Sequence, residues 1–249
     1  MRIAVIADIH GNRRALEAVL ADLPRRGADL VVNLGDCLSG PLQPAEVADR
    51  LMALGWPTVR GNHDRQLLDR PVAAMIPSDA FSALRLAAAH RDWLAALSPV
   101  LQPAEGVLAC HGTPADDLTY ALEVVAGPHH LRPATAAEAA ARIGATPGAD
   151  LVLCGHSHLA RMARLPDGRL VVNPGSVGQP GYRDTEPHPH VVFAGTPHAR
   201  YAVVTRGPGG WGAEFHALPY DWDAAAAEAR AAGWADWAQA LATGQLAPP

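Results

Sequence analysis

Short apolar runs alternate along the chain with amphipathic stretches. Six runs are followed at once by polar, glycine-punctuated residues: IAVIA (Ile3–Ala7), LVVNL (Leu30–Leu34), PTVR (Pro57–Arg60), VLAC (Val107–Cys110), LVLC (Leu151–Cys154) and LVVN (Leu170–Asn173). Their shortness and their Val, Ile and Leu content predict strands, and the nearly unbroken hydrophobicity predicts strands covered on both faces. RYAVVTR (Arg200–Arg206) and GAEFHAL (Gly212–Leu218) add two more. Helical spacing appears between them. Leu16, Val19, Leu20 and Leu23 share one face of Asn12–Leu23, and Val47, Leu51 and Leu54 share one face of Pro44–Leu54. The Ala-rich stretch Ser78–Leu97 predicts one or two helices, and Thr135–Ile143 opens with a capping-box pair, Thr135 and Glu138. Asp223–Ala232 and Trp234–Thr243 predict C-terminal helices, the second stopped at Gly244. Strands alternating with helices imply a layered α/β fold. No long linker or internal repeat divides the chain. It reads as one domain over residues 1–249, with a helical insert at about 67–103 and C-terminal helices at about 223–243. Pro180–Pro197, rich in Pro, Gly and His, reads as an ordered surface loop or a flexible flap.

Composition narrows the function. The 249 residues are 49% hydrophobic and 18% charged, enough for a sizeable core and unlike a disordered chain. No apolar run reaches the roughly 20 residues of a membrane helix. Asp8 interrupts the N-terminal apolar stretch too early for a signal-peptide core, so a cytoplasmic protein is expected. The chain has no lysine; all 20 of its basic residues are arginine, spread along the sequence, and the net charge is −5. Schiff-base chemistry and a phosphate-loop lysine are excluded, and duplex nucleic acid is not an expected partner. Cys37, Cys110 and Cys154 fit no zinc knuckle and no disulfide framework, so they read as core residues.

The polar residues at the ends of the apolar runs are more specific. Asp8 and His10 come after the first, Asp36 after the second, Asn62, His63 and Asp64 after the third, His111 after the fourth, and His156 and His158 after the fifth. Ligands of open α/β sheets gather outside the carboxyl ends of strands, so these chain-distant residues are expected to converge. His nitrogens and Asp oxygens suit borderline divalent metals. In Asp8-x-His10 and His156-x-His158, an extended backbone would point both side chains to one centre. Any one of these pieces is weak; five strand ends carrying ligand-type residues by accident is improbable.

The ordered set D-x-H-G-N (Asp8–Asn12), G-D (Gly35–Asp36), G-N-H-D (Gly61–Asp64), H-G (His111–Gly112) and G-H-S-H (Gly155–His158) resembles the calcineurin-like metallophosphoesterases. It is most similar to their small bacterial and archaeal phosphodiesterase branch, as is NPGSVGQP (Asn173–Pro180). The resemblance spans Arg2 to Pro180 and implies a four-layer α/β fold, a β-sandwich flanked by helices. It also implies two divalent metal ions (Mn, Fe, Zn or Ni). Asp8, His10 and His158 would hold the first; Asn62, His111 and His156 the second; Asp36 would bridge them. His63 would act as general acid toward the leaving group while a two-metal-activated water attacks a small phosphodiester, with nucleotides among the candidate substrates.

The run GDCLSG (Gly35–Gly40) departs from the pattern of the phosphoprotein phosphatases: it lacks the acid that orients the catalytic His there. Asp64 is the neighbour left for that task, and a phosphoprotein substrate is disfavoured. Gly181–Arg200 is longer than its counterpart in the small branch. Arg183 within it is a candidate phosphate contact beside the reading of an ordinary surface arginine, and His188, His190 and His198 read as exposed loop histidines, like His129 and His130. Trp211, Trp222, Trp234 and Trp237 read as core or homodimer-interface residues rather than base-stacking platforms. Two alternatives stand beside the diesterase: a phosphomonoesterase with the same core and a different pocket, and a non-catalytic metal-binding module. The latter would be favoured by loss of ligands or of His63, and neither is lost.

Overall fold

The computed structural model describes residues 1–247. In chain order the regular elements are β1 (Arg2–Ile6), α1 (Arg13–Asp22), β2 (Leu30–Asn33), α2 (Pro44–Leu54), α3 (Asn62–Asp69), α4 (Pro77–Ala83), α5 (Ala88–Ala96), β3 (Val100–Ala104), β4 (Val107–Cys110), β5 (Glu123–Val125) and β6 (Leu131–Pro133). They continue with α6 (Ala136–Ile143), β7 (Leu151–Leu153), β8 (Arg161–Arg164), β9 (Leu170–Asn173), β10 (Gly181–Asp184), β11 (His190–Phe193), β12 (Ala199–Gly207), β13 (Gly210–Leu218), α7 (Trp222–Ala231) and α8 (Ala235–Thr243).

The apolar runs build two sheets. One has the strand order β13-β12-β1-β2 and the other β3-β4-β7-β9-β8. Within them β1 and β2 are parallel, as are β4, β7 and β9. Alternation along β1 shows why its run is apolar throughout. Ile3 and Val5 join a buried cluster with Leu151, Leu153 and Val172 of the second sheet. Ala4 and Ile6 face the other way, onto Leu16 and Val19 of α1 and Val47 of α2. On the far side of the second sheet, Val152 and Val171 pack against Ala139 and Ile143 of α6. Helices, sheet, sheet and helix therefore stack as four layers, the arrangement the resemblance implied. The three cysteines are free and buried, as expected.

Helix limits follow local chemistry. Asn12 caps α1 by accepting from Ala15 N–H, and the Thr135–Glu138 pair closes the expected box at α6. Gly244 ends α8 with a left-handed φ of 69°.

Several elements differ from expectation. Pro57–Arg60 forms no strand; Thr58 and Val59 make single bridges to Asn33 and Ser98. Pro57 has no N–H to donate and Gly61 follows within four residues, leaving too short a ladder. Ser78–Leu97 divides into α4 and α5. The segment expected as a helical insert is helical only in part: its end is β3, the edge of the five-stranded sheet, and its first turns continue α3, which begins at Asn62. The Pro180–Pro197 stretch contains an antiparallel hairpin, β10–β11, rather than irregular loop.

The inter-sheet core can be tested at Leu153, which is fully buried between the layers. Leu153→Ala should lower the unfolding free energy by about 2–5 kcal/mol, read from urea denaturation followed by circular dichroism.

Candidate metal centre

The strand-end residues do converge, but not by the expected backbone. Asp8 and His10 follow β1, Asp36 follows β2, Asn62 and His63 open α3, His111 follows β4, and His156 and His158 follow β7. Asp8, His10, Asp36, His156 and His158 have left-handed φ values of 56, 50, 52, 69 and 59°. The extended geometry expected for Asp8-x-His10 and His156-x-His158 is thus not what forms. A left-handed residue turns the chain sharply, so both members of each pair reach inward from a coiled loop. Asp and His tolerate this region better than most residues, at a cost of about 1–3 kcal/mol each. Hydrogen bonds between loops hold the turns: Asp8 N–H donates to Gly35 O and His10 N–H to Asp36 O, both at 3.0 Å, and Gly155 N–H donates to His111 O at 2.7 Å. At Gly61 a Cβ would lie 2.2 Å from Asp36 Oδ1, so only glycine fits there.

Inside this frame the side chains form two groups. Ligand atoms of Asp8, His10 and His158 lie within 4.8 Å of one another, and so do those of Asp36, His111 and His156; all six residues are buried. His111 Nε2 is 3.1 Å from Asp36 Oδ2, and His10 Nε2 is 3.9 Å from the same oxygen, so Asp36 stands between the groups. Each imidazole has one nitrogen tied to a backbone carbonyl. Nδ1–H of His10, His111 and His158 donates to Ser39 O, Leu34 O and Gln179 O at 2.7, 2.8 and 2.7 Å, and Nε2–H of His156 donates to Leu118 O at 2.9 Å. The remaining nitrogens therefore present lone pairs inward. His10 Nε2 and His158 Nε2 face each other at 3.2 Å with no donor of their own to share. Both carboxylate oxygens of buried Asp8 lack a hydrogen-bond partner. The inward amide atom of Asn62 is 3.0 Å from His111 Nε2, 3.1 Å from His156 Nδ1 and 3.2 Å from Asp36 Oδ2. An amide nitrogen there would donate to these acceptors; an oxygen there would accept from a protonated His111 Nε2 or bind a cation. Orphaned buried acceptors of this kind fit a divalent cation of the borderline class.

Electrostatics agree with the geometry. Burial pushes the Asp8 carboxyl up to about 8 and lowers His10 and His156 to about 4, with His158 well below the usual histidine range. Burial also disfavours charge on Asp36, but the His111 imidazolium outweighs it and holds Asp36 low; Asp36 in turn raises His111 to about 10. Without a cation, a proton between His111 and Asp36 carries the compensating charge.

His63 lies beside these groups. Its ring meets the His10 ring edge-on at 5.5 Å, and its Nδ1–H donates to Asp79 Oδ1 at 2.8 Å. Burial would lower its pKa, but Asp36 and Asp79 raise it to about 9. Asp79 is fully buried at the start of α4 and also accepts from Ser39 Oγ. Asp64 does not reach His63. Its Oδ2 accepts from Gly61 and Asp36 N–H and its Oδ1 from Cys37 N–H, at 2.9–3.0 Å, so it braces the turn that carries Asp36.

The model of the calcineurin-like phosphoesterase superfamily domain matches residues 1–197. The chain belongs to that family. A crystal structure of a metallophosphoesterase from Sphaerobacter thermophilus superposes with a TM-score of 0.74 at 28% identity, covering 98% of this chain and 100% of that one. The hypothetical protein PH1004 from Pyrococcus horikoshii has the same fold, with a TM-score of 0.73 at 20% identity and 99% coverage of both chains. The uncharacterized protein MJ0912 of Methanocaldococcus jannaschii is 41% identical over 68 residues, which is 27% of this chain and 28% of that protein. This phosphoesterase is accordingly a hydrolase of phosphoester bonds, with two His/Asp groups that could each hold a divalent metal. Among the described residues, no helix is long and apolar enough to cross a membrane.

The phosphoesterase's centre opens into a cavity of about 1040 Å³. Arg183 lines it, but its Nε–H donates to Asp236 Oδ2 at 3.0 Å, so the guanidinium is partly engaged. His190 was expected among exposed loop histidines and is instead buried, 2% accessible, because it opens β11 and packs against Tyr120. Its Nε2 lies 3.0 Å from Tyr120 Oη, which lies 2.7 Å from Tyr182 Oη; the Tyr182 hydroxyl donates to His156 O at 3.2 Å. His129, His130 and His188 are exposed as expected, while His198 is half-buried against Trp222. Sequence reasoning missed Asp79 and this tyrosine–histidine chain. Nothing in the spacing of PSDA (Pro77–Ala80) marks Asp79, whereas the buried alternation of HVVF (His190–Phe193) is a strand signal.

Manganese added to the metal-free chain should raise its Tm; saturation at 100 times Kd corresponds to about 2.7 kcal/mol. Differential scanning calorimetry of the Asp8→Asn chain should show most of that shift gone.

Proposed function

We propose that this phosphoesterase is a phosphodiesterase acting on small diesters at a centre of two divalent cations. Asp8, His10 and His158 hold one cation and Asn62, His111 and His156 the other, with Asp36 shared between them. The observation that carries this reading is the two buried donor groups meeting across Asp36, with both Asp8 oxygens orphaned. Divalent cations bound there supply Lewis-acid polarisation of the phosphoryl oxygens and activation of water.

The chain's own residues supply the rest. Asp36 and Asp8 offset the cationic charge while the carbonyl-tied imidazoles fix the donors in place. His63 has Nδ1–H on Asp79, which leaves Nε2 for the substrate and keeps the ring protonated near neutral pH. It donates that proton to the departing alkoxide. Asp79 takes the place left empty in GDCLSG, reaching His63 from α4. Cavity chemistry favours a diester over a monoester. Of the three arginines lining the cavity, Arg183 is paired with Asp236 and Arg142 donates to Tyr120 O and Glu123 O, which leaves only Arg70 without a side-chain partner among the described residues. A diester carries one negative charge and has two substituents to house, for which the cavity has room.

Bis-p-nitrophenyl phosphate and p-nitrophenyl phosphate, each assayed with manganese, separate the readings. The diester should be the better substrate, and a strong preference for the monoester would reverse the assignment. His63→Ala should keep its metal content by elemental analysis and lose about 10²–10⁴-fold in kcat. Asp79→Asn should lose less, because it misorients His63 without removing it.

A further inference from the structure

Next to the centre, α8 and the residue that caps it supply two indoles to the cavity wall. Trp237 meets the His10 ring edge-on, 6.0 Å between centroids at 70°, and both Trp234 and Trp237 line the cavity that contains His63. Reading these tryptophans as core residues holds for one flank only. They pack on the buried alanines of α7 and α8, with Ala225, Ala229 and Ala238 beneath them. Their other flank borders the cavity, and both side chains are half-buried. Among the described residues, His10 is the one aromatic ring against Trp237, and the contact is edge-on, not face-to-face.

The helix is braced for this placement on two sides. Trp234 meets Phe81 of α4 edge-on at 6.0 Å, and Asp236 pairs with Arg183 of β10. Underneath, Gly40 lets the indole come down beside His10: a Cβ there would lie 2.1 Å from His10 O and 3.2 Å from the Trp237 ring. His63 and Trp237 thus both stand within 6 Å of the His10 ring, one offering a proton and the other an apolar wall. A flat aromatic group attached to a phosphoryl group at the centre would have two indole rings on the same cavity wall, and stacking of bases on aromatic side chains is favourable and tolerant of base identity.

We infer that Trp237, supported by Trp234, forms a subsite for the nucleobase of a nucleotide ester whose phosphate lies at the metal centre. This rests on reading the centre as a phosphoester site and adds the substrate class. Isothermal calorimetry on the manganese-loaded chain tests it with AMP and glycerol 3-phosphate, two phosphates of which only the first carries a base. Wild type should bind AMP more tightly by about 10-fold, the scale of one stacked base. Trp237→Leu, which keeps bulk against α7 without a flat ring, should abolish that difference and leave glycerol 3-phosphate unchanged. Trp237→Phe should retain it. Equal wild-type affinities, absence of binding by both phosphates, or parallel weakening of both by Trp237→Leu would overturn the subsite. If AMP is discriminated while bis-p-nitrophenyl phosphate is not hydrolysed, the phosphodiesterase reading fails and the subsite stands.

Discussion

Lone pairs that face one another with no proton between them are what the rest of this structure has to hold. His10 Nε2 opposes His158 Nε2 at 3.2 Å, and Asp8 offers two oxygens to no donor. Left free, such rings would rotate away and such a carboxylate would seek water. They cannot, because the opposite nitrogen of each of the four inward imidazoles is tied to a main-chain carbonyl, and those carbonyls belong to three loops: Leu34 and Ser39 after β2, Leu118 after β4 and Gln179 after β9. The donor set is therefore as rigid as the backbone. Buried acceptors without donors cost a fold free energy unless a cation fills the space between them, so their convergence is itself the argument for one.

Backbone strain has the same origin. Five of the inward residues take left-handed φ, each at a cost of about 1–3 kcal/mol. The burden is carried by what surrounds them. The β1 and β2 loops exchange main-chain hydrogen bonds, the β9 loop donates to Ala7 O and Asp8 O, and Asp64 holds two amides of the turn carrying Asp36 together with that of Gly61. Behind these loops the inter-sheet core of Ile3, Val5, Leu151, Leu153 and Val172 fixes where the strands end. The sandwich can hold strained loops because its strands are covered on both faces and have no freedom to shift.

This division also explains what could be read from the letters. Strand ends followed by Asp, His and Gly announce themselves locally, because an apolar run is buried wherever it occurs and its polar successor is not. The convergence of Asp8, His10, Asp36, His111, His156 and His158 was legible for that reason; the four layers came from the family resemblance, since the alternation alone equally allows a single doubly wound sheet. Conformation was not: Asp8-x-His10 looks extended on spacing, and only the loop-to-loop hydrogen bonds force it to be left-handed. Asp79 was invisible because its partner His63 lies 16 residues away across an insert with no periodic signature. Asp64 drew attention by adjacency alone, and adjacency in a helix is a poor guide to contact.

Helix geometry settles how Asn62 and His63 divide their tasks. Gly61 caps α3 and the pair opens its first turn, where consecutive side chains diverge by about 100°. One of them faces Asp36, His111 and His156; the next must face elsewhere, and elsewhere is the cavity, with Asp79 behind it. The His63 backbone still serves the centre, since its N–H donates to Asp36 Oδ1 at 2.9 Å and the helix N-terminus favours that negative charge. A histidine at position 62 would bring a ring where an amide just fits; an asparagine at 63 would have no proton to give near neutral pH. Apart from Asn62, which opens α3, the donors are thus set by strand ends of the sandwich, while the proton donor is set by a partner from α4. That helical segment also reaches the centre indirectly, since Asp79 accepts from Ser39 Oγ and Ser39 O holds the His10 ring.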